Sequence, residues 1–290
     1  MKLLFWNVRG NAIGELVAEC VEEHGADIFF LAEHDGIEPE SLCEMLRLRY
    51  FWVNTNSGCD KVRMFIRNSI DVIDLFEMDR YLICTVSVGG VVYNLASLHL
   101  QDRRNSDADA RLHVARGVVS NLGEQERKYG CHDSVIIGDF NASPFDKELL
   151  TMDAFNATLF KDVIRSKAVR VRLGEEFALM FNPTLHFISE DTKNYGSYYY
   201  DGGGEFSPLY WYSLDQAIVS PSLMDSVDDY IYLRNIGDTR LVPSVRPLPN
   251  ISDHLPLLLT FGENDGCVKQ TFGPRHWNTK STPAQKMSKG

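Results

Sequence analysis

The chain predicts an α/β fold of two packed sheets with helices outside them, and three observations carry this. Short apolar runs rich in β-branched and aromatic residues recur through most of its length. Three other segments repeat apolar residues at helical spacing. The order is mixed: strand–helix–strand, then a run of antiparallel strands, then a helix and strand again.

The first strands are Lys2–Val8 and Asp27–Ala32, separated by a helix over Ile13–His24 with apolar residues at 13, 16, 17, 20 and 21. A second helix covers Pro39–Arg47. Phe51–Asn54, Arg63–Arg67 and Ile70–Phe76 read as strands, as do Tyr81–Val88 and Val91–His99, joined by a hairpin turn on Gly89-Gly90. The longest helix is Ala108–Lys128, apolar at 112, 115, 118, 119 and 122. Ser134–Asp139, Leu214–Ser220, Asp229–Leu233 and Leu255–Phe261 complete the strands. Residues 166–212 are rich in Gly, Tyr and polar residues; a loop this long is either functional or hides further elements. From Asn264 to Gly290 the chain is polar, with five Lys/Arg against one acid, Asp265, and disorder is expected.

Composition narrows the class. The 290 residues are 44% hydrophobic and 24% charged, ordinary for a globular protein. No apolar run approaches the roughly 20 residues that span a bilayer, and "MKLLFWNVRG" lacks a signal-peptide core. The six cysteines show no C-x-x-C pair, which points to reduced thiols and a cytoplasmic protein without a membrane. A net charge of −11 argues against broad nucleic-acid binding through a basic surface. A divalent cation held by clustered carboxylates reverses that field locally, so an acidic enzyme can still act on a polyanion.

The chemistry gathers at strand ends. "VIIGDFNASP" runs from an apolar strand into Asp139 and Asn141, two apart and so on one face. Asn7 follows "KLLFW", Glu33 follows "IFFLA", and His99 follows "VVYNLASL". Asp215 opens "QAIVS", and Asp253-His254 opens "LPLLLTF". Singly, each is an ordinary turn former or core histidine. Together they offer carboxylates for a hard cation, amides that donate to phosphate oxygens, and two histidines for acid–base work. There is no Ser-His-Asp spacing, Gly-rich phosphate loop or H-E-x-x-H motif. The inventory suits magnesium-assisted phosphoester hydrolysis.

"FWNVRG", "LAEHDG", "LHL", "IGDFNASP", "LDQAIVS" and "ISDHLPLLL" stand in the order found in the endonuclease/exonuclease/phosphatase superfamily, which the chain resembles from Lys2 to about Phe261. The resemblance implies a four-layer α/β/β/α sandwich with two packed mixed, mainly antiparallel sheets. It implies a catalytic domain over 1–262 and a basic tail over 263–290. It further implies Glu33, Asn7 and Asp253 at a Mg²⁺ site that also accepts Mn²⁺. Asp139 would orient or deprotonate the attacking water, and Asn141 would donate to a phosphate oxygen. His254, held by Asp215, would stabilise the transition state or act as base, and His99 would protonate the leaving oxygen. Sequence alone leaves two candidates for the base, Asp139 and His254.

Departures bear on substrate. The abasic-endonuclease Tyr-x-Pro-Asn-Gly stretch and the inositol-phosphatase signatures are missing, while "GDFNASP" sits closest to nuclease, deadenylase and tyrosyl-phosphodiesterase patterns. "FNPTLHF", "GSYYY" and "WYSLDQ" together resemble a bacterial branch of the superfamily. The expected function is therefore a metal-dependent nuclease with nucleic acid as substrate. A phosphatase or phosphodiesterase acting on a small or lipid phosphate is the alternative, and an idle binding module a third reading.

Arg9, Arg103, Arg104 and Arg111 are candidate phosphate contacts, Arg103 and Arg104 also readable as part of a charged loop entering a helix. Tyr195, Tyr198, Tyr199, Tyr200, Phe206, Tyr210, Trp211 and Tyr212 crowd the approach to Asp215. Most of these rings are expected to pack the loop against the sheet. Tyr200 and Trp211 are the expected substrate contacts.

Overall fold

The computed structural model describes residues 1–53, 58–102, 108–201 and 209–262. One sheet is built from β1 (Lys2–Asn7), β2 (Ile28–Ala32), β3 (Tyr50–Trp52), β4 (Val62–Arg67), β16 (Val227–Tyr232) and β19 (Leu257–Phe261). Its order is β16-β19-β1-β2-β4-β3. The other holds β5 (Asp71–Met78), β6 (Tyr81–Val88), β7 (Val91–His99), β8 (Ser134–Asp139), β9 (Ala157–Thr158), β12 (Met180–Phe181) and β15 (Asp215–Val219). Here the order is β5-β6-β7-β8-β15-β12-β9. Three two-stranded ribbons pair β10 (Val169–Arg172) with β11 (Glu175–Ala178), β13 (Tyr198–Tyr199) with β14 (Trp211–Tyr212), and β17 (Asn235–Ile236) with β18 (Thr239–Arg240). Only β1–β2, β7–β8 and β9–β12 run parallel among these pairs.

Strand alternation sets the layers. From β8, Val135 and Ile137 face the six-stranded sheet, in one cluster with Leu3, Phe5, Phe29 and Leu259. Ile136 faces the other way, joining Ile83, Ala96 and Ile218 against Leu112, Ala115, Val119 and Leu122 of α3 (Ala108–Tyr129). α1 (Gly14–His24) and α2 (Pro39–Met45) cover the outside of the first sheet through Val17, Val21 and Leu42. The result is helix, sheet, sheet, helix.

The expected elements recur with small shifts at their ends. Tyr81–Val88, Val91–His99 and Ser134–Asp139 coincide with β6, β7 and β8. The last strand begins at Leu257 rather than Leu255: Pro256 has no N–H for a ladder, and the Leu255 N–H turns to the Ser197 carbonyl at 2.8 Å. Asn54, the expected end of the third strand, lies outside the described residues, as does the 263–290 segment. The stretch 166–212 is no single loop. It contains β10 to β14 and a helical turn over Thr184–Phe187. These strands are two to four residues long, too short to show a period in sequence.

The five described cysteines are free thiols, all but Cys131 buried. Among the described residues no helix is long and apolar enough to cross a membrane.

Candidate active site

Topology brings the polar strand ends to one place. β7 and β8 are parallel, with His99 opposite Asp139 in register. β15 is antiparallel to β8, so its first residue, Asp215, falls opposite Asp139 from the other side. In the facing sheet, β1 and β2 are parallel and end together at Asn7 and Ala32, with Glu33 next. β19 runs against β1, so the residues entering it return to the same end: the Trp6 indole N–H donates to the His254 carbonyl at 3.0 Å. Gly138 permits the close approach of β7, since a β-carbon there would overlap the Leu98 carbonyl oxygen.

Asp139 is the centre of the arrangement and is buried. Its Oδ2 accepts from Asn7 Nδ2 at 3.1 Å, and its Oδ1 from the Asn141 backbone N–H at 2.8 Å. The same Asn7 nitrogen donates to Glu33 Oε1 at 3.0 Å, while Asn7 Oδ1 accepts from the Arg9 N–H at 3.0 Å. Asn7 thus enters as a donor that orients two carboxylates. His99 Nε2 lies 3.7 Å from Glu33 Oε1 and 3.6 Å from Asp139 Oδ2. Arg9, Glu33 and Asn141 all have positive φ, at 55°, 49° and 45°. Such backbone is strained for residues other than glycine and persists where surrounding structure fixes it.

Beside this group Asp215 Oδ2 meets His254 Nδ1 at 2.7 Å, both residues buried. Burial pushes the Asp215 carboxyl up, and the facing imidazole pulls it back. Burial alone would also lower His254, but its Asp215 partner outweighs this and, with Asp139 and Asp253, raises it to about 10. The short contact is that of an Nδ1–H donating to the carboxylate, which fixes the orientation of the imidazole and favours its protonated form. Ser197 supports the pair: its Oγ accepts the Asp215 N–H at 3.0 Å. Ser252 Oγ accepts the His254 N–H at 3.0 Å and donates to the Asn7 carbonyl at 2.7 Å.

These groups open into a cleft of about 820 Å³. Its charged wall carries five carboxylates, Glu33, Asp102, Asp139, Asp146 and Asp253, against two guanidiniums, Arg9 and Arg80. Tyr198, Tyr200 and Tyr212 line it as well. Asn141 lines the cleft and donates from Nδ2 to the Leu100 carbonyl at 2.9 Å, which leaves its second amide hydrogen for another acceptor. Asp253 lines it too, 3.7 Å from Arg9 Nε.

A divalent cation fits this donor set. A phosphate entering beside five carboxylates needs a compensating charge, and Glu33, with a side chain 45% exposed, presents an oxygen donor next to Asp139. Asp139, Asp215 and His254 also bring donor atoms within 4.8 Å of one another. There, however, Asp215 Oδ2 and His254 Nδ1 are committed to each other at 2.7 Å.

Two expected contacts lie elsewhere. Arg111 is not a surface phosphate contact: it is buried, with Nε and Nη2 bonded to Glu148 Oε1 at 3.0 and 2.7 Å. Trp211 does not line the cleft but packs with Tyr195, Tyr199 and the Arg234 guanidinium. Arg103, Arg104 and Phe206 lie outside the described residues. Arg80 was missed because it sits in a β5–β6 turn and reaches the cleft only through pairing, its carbonyl accepting the His99 N–H at 3.0 Å. Ser197 carries no local signal either; its long-range bond to the Asp215 N–H brings it in.

The chain belongs to the endonuclease/exonuclease/phosphatase family, whose model matches residues 4–254. Members of this family hydrolyse phosphoester bonds and generally depend on a divalent metal. Similar solved structures include a family protein from Bacteroides thetaiotaomicron, with TM-score 0.59 and 18% identity, covering 89% of this chain and 96% of that one. A mannosyl-6-phosphatase from the same organism gives TM-score 0.60 at 18% identity, covering 90% and 98%. D. rerio TDP2 complexed with single-strand DNA product gives 0.55 at 16% identity, again covering 90% and 98%. A comparison with curated proteins gave no match.

Proposed function

We propose that this chain is a divalent-metal-dependent phosphodiesterase, a nuclease that cleaves DNA or RNA by in-line attack of water. The observation that supports it is the convergence on Asp139: Asn7, the Asn141 N–H and His99 all face one carboxylate, with the Asp215–His254 pair alongside. Magnesium held by Glu33, with Asp253 near, would supply the positive charge that admits an anionic phosphodiester and offsets charge growing on its oxygens.

The chain's own groups do the rest. Asp139, fixed by two donors, orients the water and accepts its proton as the new O–P bond forms. His254, whose protonated form the Asp215 carboxylate favours, serves as donor to a phosphoryl oxygen, and Asp139 takes the role of base. The free amide hydrogen of Asn141 donates to a second phosphoryl oxygen. His99 Nε2 gives a proton to the leaving oxygen as the ester bond breaks. Arg9 and Arg80 hold neighbouring phosphates.

One observation favours a second reading, hydrolysis of a small phosphoester: the acidic balance of the cleft wall opposes a long polyanion. Incubation with labelled single- and double-stranded DNA and RNA, with Mg²⁺, Mn²⁺ or EDTA, separates the two. Cleavage that needs metal and is lost in Asp139→Asn and His254→Ala supports the nuclease. Release of phosphate from sugar phosphates, with every polymer intact, supports the second reading.

A further inference from the structure

The geometry points to the ribbon of β13 and β14 as a recognition wall for an unstacked ring one phosphate away from the scissile bond, and so to an unpaired nucleotide as the substrate unit. This rests on the phosphodiesterase reading above and adds the feature the substrate must present.

The wall follows from strand alternation. Tyr198 pairs with Tyr212 and Tyr199 with Trp211, and the Tyr200 N–H continues the ladder to the Tyr210 carbonyl at 2.8 Å. Tyr198, Tyr200 and Tyr212 turn to the cleft. Tyr199 and Trp211 turn away, their ring centroids 5.4 Å apart, with Arg234 stacked 5.2 Å over Trp211. The outer rings brace the ribbon from behind.

The ribbon is also bonded to the catalytic pair. Tyr198 forms a β-bridge with His254, and their ring centroids are 4.8 Å apart. The preceding Ser197 accepts the Asp215 N–H through Oγ and the Leu255 N–H through its carbonyl. A ring lying on this face is therefore held at a fixed distance from His254. Tyr200, 48% exposed, is the inner ring with most free surface. The same cleft is lined by the carboxylates and by Arg9 and Arg80, so rings and phosphate-binding groups share one opening. A base inside a duplex is stacked on its neighbours and offers no face to a tyrosine; an unpaired one does.

The test uses single-stranded oligonucleotides that carry either a normal nucleotide or a tetrahydrofuran abasic unit at the position next to the cut. A duplex and a sugar monophosphate serve as further arms, all with Mn²⁺. For the wild type, kcat/KM for the base-bearing strand should exceed that for the abasic strand by about tenfold or more, as stacking on one aromatic ring allows. In Tyr200→Ala that ratio should fall towards one, and Tyr200→Phe should restore it. A wild-type ratio near one, or a ratio unchanged in Tyr200→Ala, overturns the inference while the nuclease reading stands. If the duplex is cut as fast as the strand, the inference is likewise overturned. If no polymer is cut but the sugar monophosphate is hydrolysed, the nuclease reading fails and the unpaired nucleotide falls with it.

Discussion

Asp215 Oδ2 lies 2.7 Å from His254 Nδ1, a bond that joins the first residue of a strand in one sheet to the segment entering a strand of the other. Removing the charge on one side shows what it does for the other. In Asp215→Asn the largest influence that holds a proton on His254 is gone, and burial is then opposed only by the weaker pull of Asp139 and Asp253. We expect kcat at pH 8 to fall at least about a hundredfold, as orienting carboxylates behave elsewhere. The alkaline limb of the wild-type pH profile should lie near 10 and move to lower pH in the variant. A limb that stays in place would assign it to another group.

The same shift bears on stability. A histidine raised in the folded state contributes stability fully present below its unfolded pKa, about 6.5, and lost as pH rises through the folded value. The His254 contribution should therefore fade towards pH 10. Denaturant melts from pH 6 to pH 10.5 should show the wild type losing stability relative to His254→Gln over that window. A constant difference would mean that His254 does not titrate there.

Metal binding is readable without catalysis. A cation that binds only the folded chain stabilises it by about 2.7 kcal/mol at a hundred times its Kd. Mn²⁺ should raise the melting temperature of the wild type, EDTA should reverse the rise, and Glu33→Gln should abolish it. Calorimetric titration gives the stoichiometry. An equal rise in Glu33→Gln would move the ion to other donors.

Asn141 combines a backbone constraint with a donor. Its φ is 45°, a conformation that glycine adopts freely and asparagine tolerates. Asn141→Gly keeps the turn and deletes the amide, whereas Asn141→Ala also strains the backbone. Both should lower kcat by about a hundredfold or more, as when one donor to a developing oxyanion is lost. Both lose the bond to the Leu100 carbonyl, and the alanine variant should melt earlier than the glycine one. A glycine variant with wild-type kcat would remove Asn141 from the chemistry.

Much of this was legible in the sequence because the site is made of strand ends. An apolar run followed by Asp139 or His99 signals both the strand and the residue at its end, and two-residue periodicity puts Asp139 and Asn141 on one face. The lines of assembly were not legible. Arg80 reaches the cleft only because β6 pairs with β7, and Ser197 touches Asp215 across a ribbon of two-residue strands. Whether Trp211 or Tyr212 faces the cleft depends on register, which a one-residue slip inverts. Arg111 looked like a surface arginine because Glu148, its partner, is 37 residues away.

Arg111 supplies the last prediction. Its guanidinium and the Glu148 carboxylate are buried together, where α3 meets α4 (Lys147–Leu150), the helical turn that follows the Asn141 loop. Truncating one partner leaves the other charge buried without compensation, which costs about 3–5 kcal/mol. Arg111→Ala should therefore unfold at markedly lower denaturant. Replacing both partners by apolar residues, Arg111→Met with Glu148→Leu, should recover most of that loss, since desolvating the pair offsets much of its attraction. Well below the melting temperature, KM for an oligonucleotide should be unchanged in the double variant. A raised KM with intact stability would instead put Arg111 in contact with substrate.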